Sequence, residues 1–184
     1  GNRFGADILA ANAVLFQIQY IMSYLFDGFA NASSIFAGKA FGAKNFEEYK
    51  LTIKFTNISI LVTAIALSVA MILFRISIIA IFTDLASVIK IAESYSIWLI
   101  IFPLIIGIGL VYYGIFSGIS YTEPVKDSMV MSLGLFLITY FIFVPKFGNH
   151  GLWFAFIMFS LGRSVFLYIY KGKMESRFLS VKII

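Results

Sequence analysis

Five runs of apolar residues, at about 8–41, 49–74, 88–119, 125–144 and 152–170, account for most of the chain. Each is long enough to cross a bilayer, which takes roughly 17–25 mostly apolar residues as a helix. A soluble fold is excluded by what lies between them. Hydrophobic residues make up 61% of the sequence and charged residues 12%, half the usual charged share of about 25%, too few to cover a globular surface. The runs are unbroken rather than alternating in the ten-residue pattern of a membrane barrel, so strands are excluded too. The expected fold class is therefore all-α, a polytopic membrane helix bundle of about five transmembrane helices forming a single membrane domain over 1–184. After the second run come Arg75 and a shorter apolar stretch, 76–82. At about 10 Å of helix that stretch is too short to cross and is expected at the membrane surface.

Charge sorts the connections. Lys39, Lys44, Lys50 and Lys54 cluster between the first two runs, and Lys171, Lys173, Arg177 and Lys182 follow the fifth, against Arg3, Arg75, Lys90 and Lys146 on the other side. By the positive-inside rule the first two clusters are expected in the cytoplasm, which places the N-terminus of this chain outside and its C-terminus inside a plasma or inner membrane. An external start at Gly1, with no signal peptide, leads us to expect the C-terminal piece of a longer membrane protein.

Functional information concentrates in the first run. Gln17, Tyr20, Tyr24, Asp27, Asn31 and Ser34 recur at spacings of three and four, which gathers them on one helical face. Leu15, Ile18, Met22, Leu25, Phe29, Ala32 and Phe36 follow the same period half a turn away. The expected arrangement turns this apolar face toward lipid and the polar stripe inward, onto a water-filled cavity or a helix interface. Asp27 lies eleven residues before Gly38, roughly 16 Å of helix rise. Ionised there it costs at least about 2.5–3.5 kcal/mol, so it must be hydrated, paired or protonated. One reading is a carboxyl that loads and unloads a proton as access switches; the other is an Asp bonded to neighbouring donors to fix helix packing. Tyr20 and Tyr24 can stack on a flat cation or pack, and Gln17 and Asn31 serve equally as ligand contacts or interhelical bonds.

Other positions carry less. Gly107, Gly114 and Gly118 share a face, the last two in a GxxxG spacing that suits close helix packing. Pro103 interrupts the third run and is expected to kink it. Glu93, near the outer end of that run, is either a cavity acid or a rim charge. Arg163 lies eight residues before the basic tail, within reach of the interface by snorkelling or of a buried acid such as Asp27. His150, beside Gly148 and Asn149, reads as a solvated turn residue. An enzyme is not expected: a single His and no Cys leave no multi-ligand metal site, and neither GxxxxGK[ST] nor HExxH occurs. No cofactor is implied. The net charge of +5 is explained by residues flanking the apolar runs, without a nucleic-acid partner.

The stretch Leu9-Ala10-Ala11-Asn12-Ala13-Val14, then Ser23-Tyr24-Leu25-Phe26-Asp27-Gly28-Phe29-Ala30-Asn31-Ala32 and Gly38-Lys39-Ala40-Phe41-Gly42-Ala43-Lys44-Asn45, closely resembles the eighth transmembrane helix of the MATE (multidrug and toxic compound extrusion) family, in its DinF branch. Phe82-Thr83-Asp84, Trp98 with Pro103, Gly114-Ile115-Phe116 and Gly151-Leu152-Trp153 with Arg163 resemble helices nine to twelve. The resemblance implies part of a twelve-helix secondary transporter built of two pseudo-symmetric lobes. It would exchange organic cations or other amphiphiles for protons or sodium ions, and the N-terminal lobe would lie outside this chain. It also implies a cavity role for Asp27. One departure stands out: where branch members often carry Asp-Gly-Ile-Phe in helix ten, this sequence has Tyr113-Gly114-Ile115-Phe116. Two alternatives remain at this point, a lipid-linked saccharide flippase of the same superfamily and a non-transporting truncated membrane scaffold.

Overall fold

The structure, a computed structural model, describes residues 3–182, with side chains over 5–176. Gly1, and the side chains of Arg3, Arg177 and Lys182 in the charge pattern above, lie outside the described residues. Among the described residues seven helices follow one another: α1 (Arg3–Gly42), α2 (Phe46–Ala80), α3 (Ala86–Tyr95), α4 (Ile97–Gly118), α5 (Glu123–Phe147), α6 (Asn149–Ile169) and α7 (Lys171–Lys182). Five candidate spans, Gly5–Gly42, Phe46–Ala80, Ile97–Gly118, Glu123–Phe147 and Asn149–Ser176, are long and apolar enough to cross a bilayer. The chain is thus a multi-pass membrane protein.

Local chemistry sets the helix ends. Asn45 begins α2, its side chain accepting the Glu48 backbone N–H at 3.1 Å while its amide donates to the Glu48 carboxylate at 3.3 Å. One of the four orphan backbone donors of a helix start is satisfied in this way. Gly148 joins α5 to α6 at φ 54° and ψ −126°, a region open to glycine and strained for other residues.

Two expectations about the runs are corrected. The 76–82 stretch does not lie apart at the surface, for α2 continues through Arg75 to Ala80. Arg75 is tolerated because its Nε donates to Glu93 of α3 at 3.3 Å. The third run is not one helix: it breaks at Ser96 between α3 and α4. There the Ser96 N–H bonds to the Glu93 carbonyl at 3.1 Å, a tight three-residue closure, and its hydroxyl donates to the same carbonyl at 2.7 Å. Pro103, by contrast, sits inside an uninterrupted α4. One turn earlier the Ile100 carbonyl accepts the Ser68 hydroxyl at 2.8 Å, tying α2 to α4. The basic tail forms α7, which seats Met174, fully buried, in the core.

α4 is the hub, packed against α1, α2 and α6, whereas α5 leans almost entirely on α6. The α1–α4 contact is backbone to backbone. A methyl built on Gly114 would run into the Ala30 carbonyl, and one on Gly118 into that of Ser34, so residues four apart on α4 meet residues four apart on α1. One core cluster fills the end that holds Tyr49, Ile119 and Met174, and a second, with Leu15, Met71, Val88 and Trp153, fills the other.

Those clusters fix the rotation of α1 and overturn part of its expected orientation. Leu15, Ile18 and Met22 do not face lipid; they are buried in the second cluster. Leu25 and Phe36 do stay exposed, and Phe29 is half-buried. The polar stripe accordingly points away from the core.

Candidate functional site

One end of the bundle is pinned by side-chain amides. Asn12 of α1 and Asn149 of α6 exchange hydrogen bonds of 2.7 and 3.0 Å, and the Trp153 indole donates to the Asn12 carbonyl oxygen at 2.9 Å. His150, beside this clamp, is exposed but engaged rather than simply solvated. Its Nδ1 accepts the Trp98 indole N–H at 3.2 Å, and its ring lies 4.5 Å from that of Tyr95.

Below the clamp α1 and α6 both rest on α4, and between the three helices a half-open cavity of about 450 Å³ remains. α1 contributes Gln19, Tyr20, Ser23, Tyr24 and Asp27, and α6 contributes Phe156, Phe159, Ser160, Arg163 and Ser164. The floor is α4, from Ile106 to Tyr113. Gly109 is required there, because a Cβ would meet the Ser164 hydroxyl at 2.6 Å. That hydroxyl instead accepts the Gly109 N–H at 3.1 Å and donates to the Ile105 carbonyl at 2.7 Å.

Charge in this cavity is paired in number but not in contact. Asp27 is half-buried on one wall, and Arg163 on the other carries its guanidinium 5.1 Å from the Tyr113 ring centre. The two side chains interact electrostatically, yet none of the ion pairs within 4.0 Å among the described residues joins them. Among the described residues Arg163 Nε is buried without a hydrogen-bond partner, and so is Gln19 Oε1 on a side chain only 4% exposed. Tyr20 and Tyr24 stand 56% and 71% exposed at the mouth.

Of the residues singled out by sequence, Tyr20, Tyr24, Asp27 and Arg163 come together here. Gln17 and Asn31 do not: they sit on the outermost arc of α1, exposed and outside the lining. Glu93 is elsewhere, lining a separate pocket with Lys90 and bonded to Arg75. Gln19, Ser23, Tyr113 and Ser160 are lining residues that the stripe analysis passed over. A signal for two of them existed, since Asn12, Gln19 and Ser23 are spaced by seven and four and form a second polar line on α1.

Five candidate membrane spans packed around a half-open cavity that holds one acidic and one basic side chain define the class, a polytopic membrane protein. The profile of the MatE family matches residues 1–144, and the chain belongs to this family of membrane transporters. Over 162 residues it is 32% identical to the DNA damage-inducible protein F of Escherichia coli (strain K12), an alignment covering 86% of this chain and 34% of that protein. A crystal structure of a MATE protein in the bent conformation superposes with a TM-score of 0.82 at 20% identity, covering 92% of this chain and 38% of the other. The chain thus spans about a third of the length of the curated relative it matches.

Proposed function

We propose that the chain is the C-terminal-lobe portion of a MATE-type antiporter that moves organic cations, drugs or other amphiphiles against protons or sodium ions. The observation that carries this reading is the half-open cavity between α1, α4 and α6, in which a membrane-embedded carboxylate, Asp27, stands beside two exposed tyrosines. Its volume of about 450 Å³ lies within the range of about 300–1,000 Å³ common to small-molecule sites. Asp27 would hold a proton, a sodium ion or the positive end of a substrate, and Tyr20 and Tyr24 would offer ring faces to a flat cation. Because these occupants need the same carboxylate, loading one displaces another, which is the minimal requirement of exchange. Alternating access needs a second lobe rocking against this one, so an N-terminal lobe is the implied protein partner. The basic turn between α1 and α2 and the basic start of α7 share one end of the bundle. That arrangement supports a cytoplasmic C-terminus, with the N-terminus of this chain outside.

The flippase alternative is less well supported, because Arg163 is the only basic side chain among the described lining residues, too little for a polyanionic headgroup. The test is Asp27→Asn in the complete transporter, reconstituted into vesicles with an imposed proton or sodium gradient. Efflux of a fluorescent cation is expected to fall at least about tenfold while membrane insertion is unchanged. Efflux equal to wild type across pH would remove Asp27 from the mechanism.

A further inference from the structure

We propose that the recess where α2, α3 and α4 meet holds the headgroup of an anionic phospholipid of the phosphatidylglycerol type, its phosphate lying between Arg75 and Lys90. The recess measures about 460 Å³ and is separate from the cavity beside Asp27. Three observations lead there. The first is charge. Arg75 directs its Nε to Glu93 at 3.3 Å, whereas Lys90, exposed on the same lining, has no carboxylate within 4.0 Å among the described residues. Two cations against one acid leave the lining with surplus positive charge. The second is the kind of donor left over. The Ser94 hydroxyl already donates to the Ile91 carbonyl at 2.6 Å, and that of Ser96 to the Glu93 carbonyl at 2.7 Å. What the side chains of the lining still offer is the two Nη groups of Arg75 and the Lys90 ammonium, cationic donors that suit phosphate oxygens. The third is depth. Ile97, 48% exposed, and Ile100 complete the lining, and Ile97 begins the candidate span of α4. The recess therefore straddles the boundary between headgroups and hydrocarbon, with an apolar wall on its inner side.

That combination selects the occupant. Free phosphate would meet the cations and leave Ile97 and Ile100 bare. A phosphatidylcholine or phosphatidylethanolamine headgroup carries a cationic nitrogen of its own, and its repulsion from the surplus charge cancels much of what its phosphate gains. Phosphatidylglycerol instead brings hydroxyls, which can donate to the Glu93 Oε2 that Arg75 does not engage. Its acyl chain continues along the apolar wall. Arg75, set within an otherwise apolar stretch of α2, thus serves the lipid as well as its pair with Glu93.

The experiment titrates the complete purified transporter, in detergent micelles, with phosphatidylglycerol or phosphatidylcholine of identical acyl chains, and counts bound lipid by native mass spectrometry. The first phosphatidylglycerol is expected to bind at least about fivefold tighter than the first phosphatidylcholine, the factor that one basic group contributes at an anionic lipid surface. Lys90→Gln, at an exposed side chain, should remove most of that preference by weakening phosphatidylglycerol alone. Arg75→Gln should do the same, and Lys90→Gln decides if the Arg75 variant does not fold. Glu93→Gln should act in the opposite sense and tighten phosphatidylglycerol by about fivefold, a sign that a purely structural Arg75–Glu93 pair does not produce. Glycerol phosphate, a headgroup without tails, should fail to displace the lipid at equal concentration. Equal binding of the two lipids, a preference that survives Lys90→Gln, weaker phosphatidylglycerol binding by Glu93→Gln, or displacement by equimolar glycerol phosphate each overturns the proposal.

Discussion

Gly114→Ala should be among the most damaging single-methyl changes in the chain, and its cost can be worked from the contact it disturbs. The added Cβ would lie 2.8 Å from the Ala30 carbonyl carbon and 2.9 Å from its Cα, with the carbonyl oxygen nearer still. All three atoms belong to backbone, so no rotamer change relieves the overlap. α1 and α4 must separate by on the order of 1 Å, which also loosens Gly118 against Ser34 one turn further on, where a Cβ has the same problem. Overpacking of this kind costs about 1–3 kcal/mol. Against it stands the helix-propensity gain of Gly→Ala, about 0.5–1 kcal/mol. Gly28→Ala isolates that gain, because among the described residues nothing outside its own stretch of helix lies within 4 Å of a Cβ there and it sits on the same helical pair. Reversible unfolding in mixed micelles, followed by circular dichroism, should therefore show Gly28→Ala at or above wild-type stability and Gly114→Ala about 1–2 kcal/mol below it. Two variants of equal stability would refute the claim that direct backbone contact holds α1 to α4.

Two further outcomes separate buried from exposed polar contacts. Asn12→Ala removes three hydrogen bonds at once and leaves the Trp153 indole and the Asn149 amide without their partner. A loss of about 1–3 kcal/mol is expected in the same unfolding assay, with a blue or red shift in Trp153 fluorescence as its indole environment changes. Glu93→Gln breaks the pair with Arg75, but the two side chains are 33% and 41% exposed, so its cost should stay below about 1 kcal/mol and shrink further in high salt.

Helix count and approximate span positions were legible in the sequence because lipid imposes one rule on every crossing segment: all backbone groups must be satisfied internally, over a fixed thickness. What hydropathy could not register was backbone geometry inside an unbroken apolar run. Ser96 splits α3 from α4 by a local hydrogen-bond choice that leaves hydrophobicity unchanged. Arg75 misled in the opposite sense, since a charge that looked like a boundary is carried within α2 by a partner 18 residues away. For the candidate site, periodicity revealed that α1 has two contrasting faces but not which of them meets the bundle. The apolar arc at Leu15, Ile18 and Met22 turned inward because α2, α3 and α4 supply apolar partners such as Met71, Val88 and Leu99. Tyr20, Tyr24 and Asp27 of the stripe reach the cavity, while Gln17 and Asn31 on the same face lie outside its lining. Gln19 escaped attention because it sits among buried residues, where a lone amide resembles an interruption of the core.

α1 behaves like a beam seated along one side through Leu15, Ile18 and Met22 and clamped at two points. Amides hold it to α6 near Asn12, and glycine contacts hold it to α4 near Ala30 and Ser34, with Asp27 in the bay between. A beam held on both sides of its load resists bowing, so the width of the bay is set by this framework rather than by whatever enters it. Any enlargement to admit a bulkier guest must then come at the open side, and not by spreading these three helices.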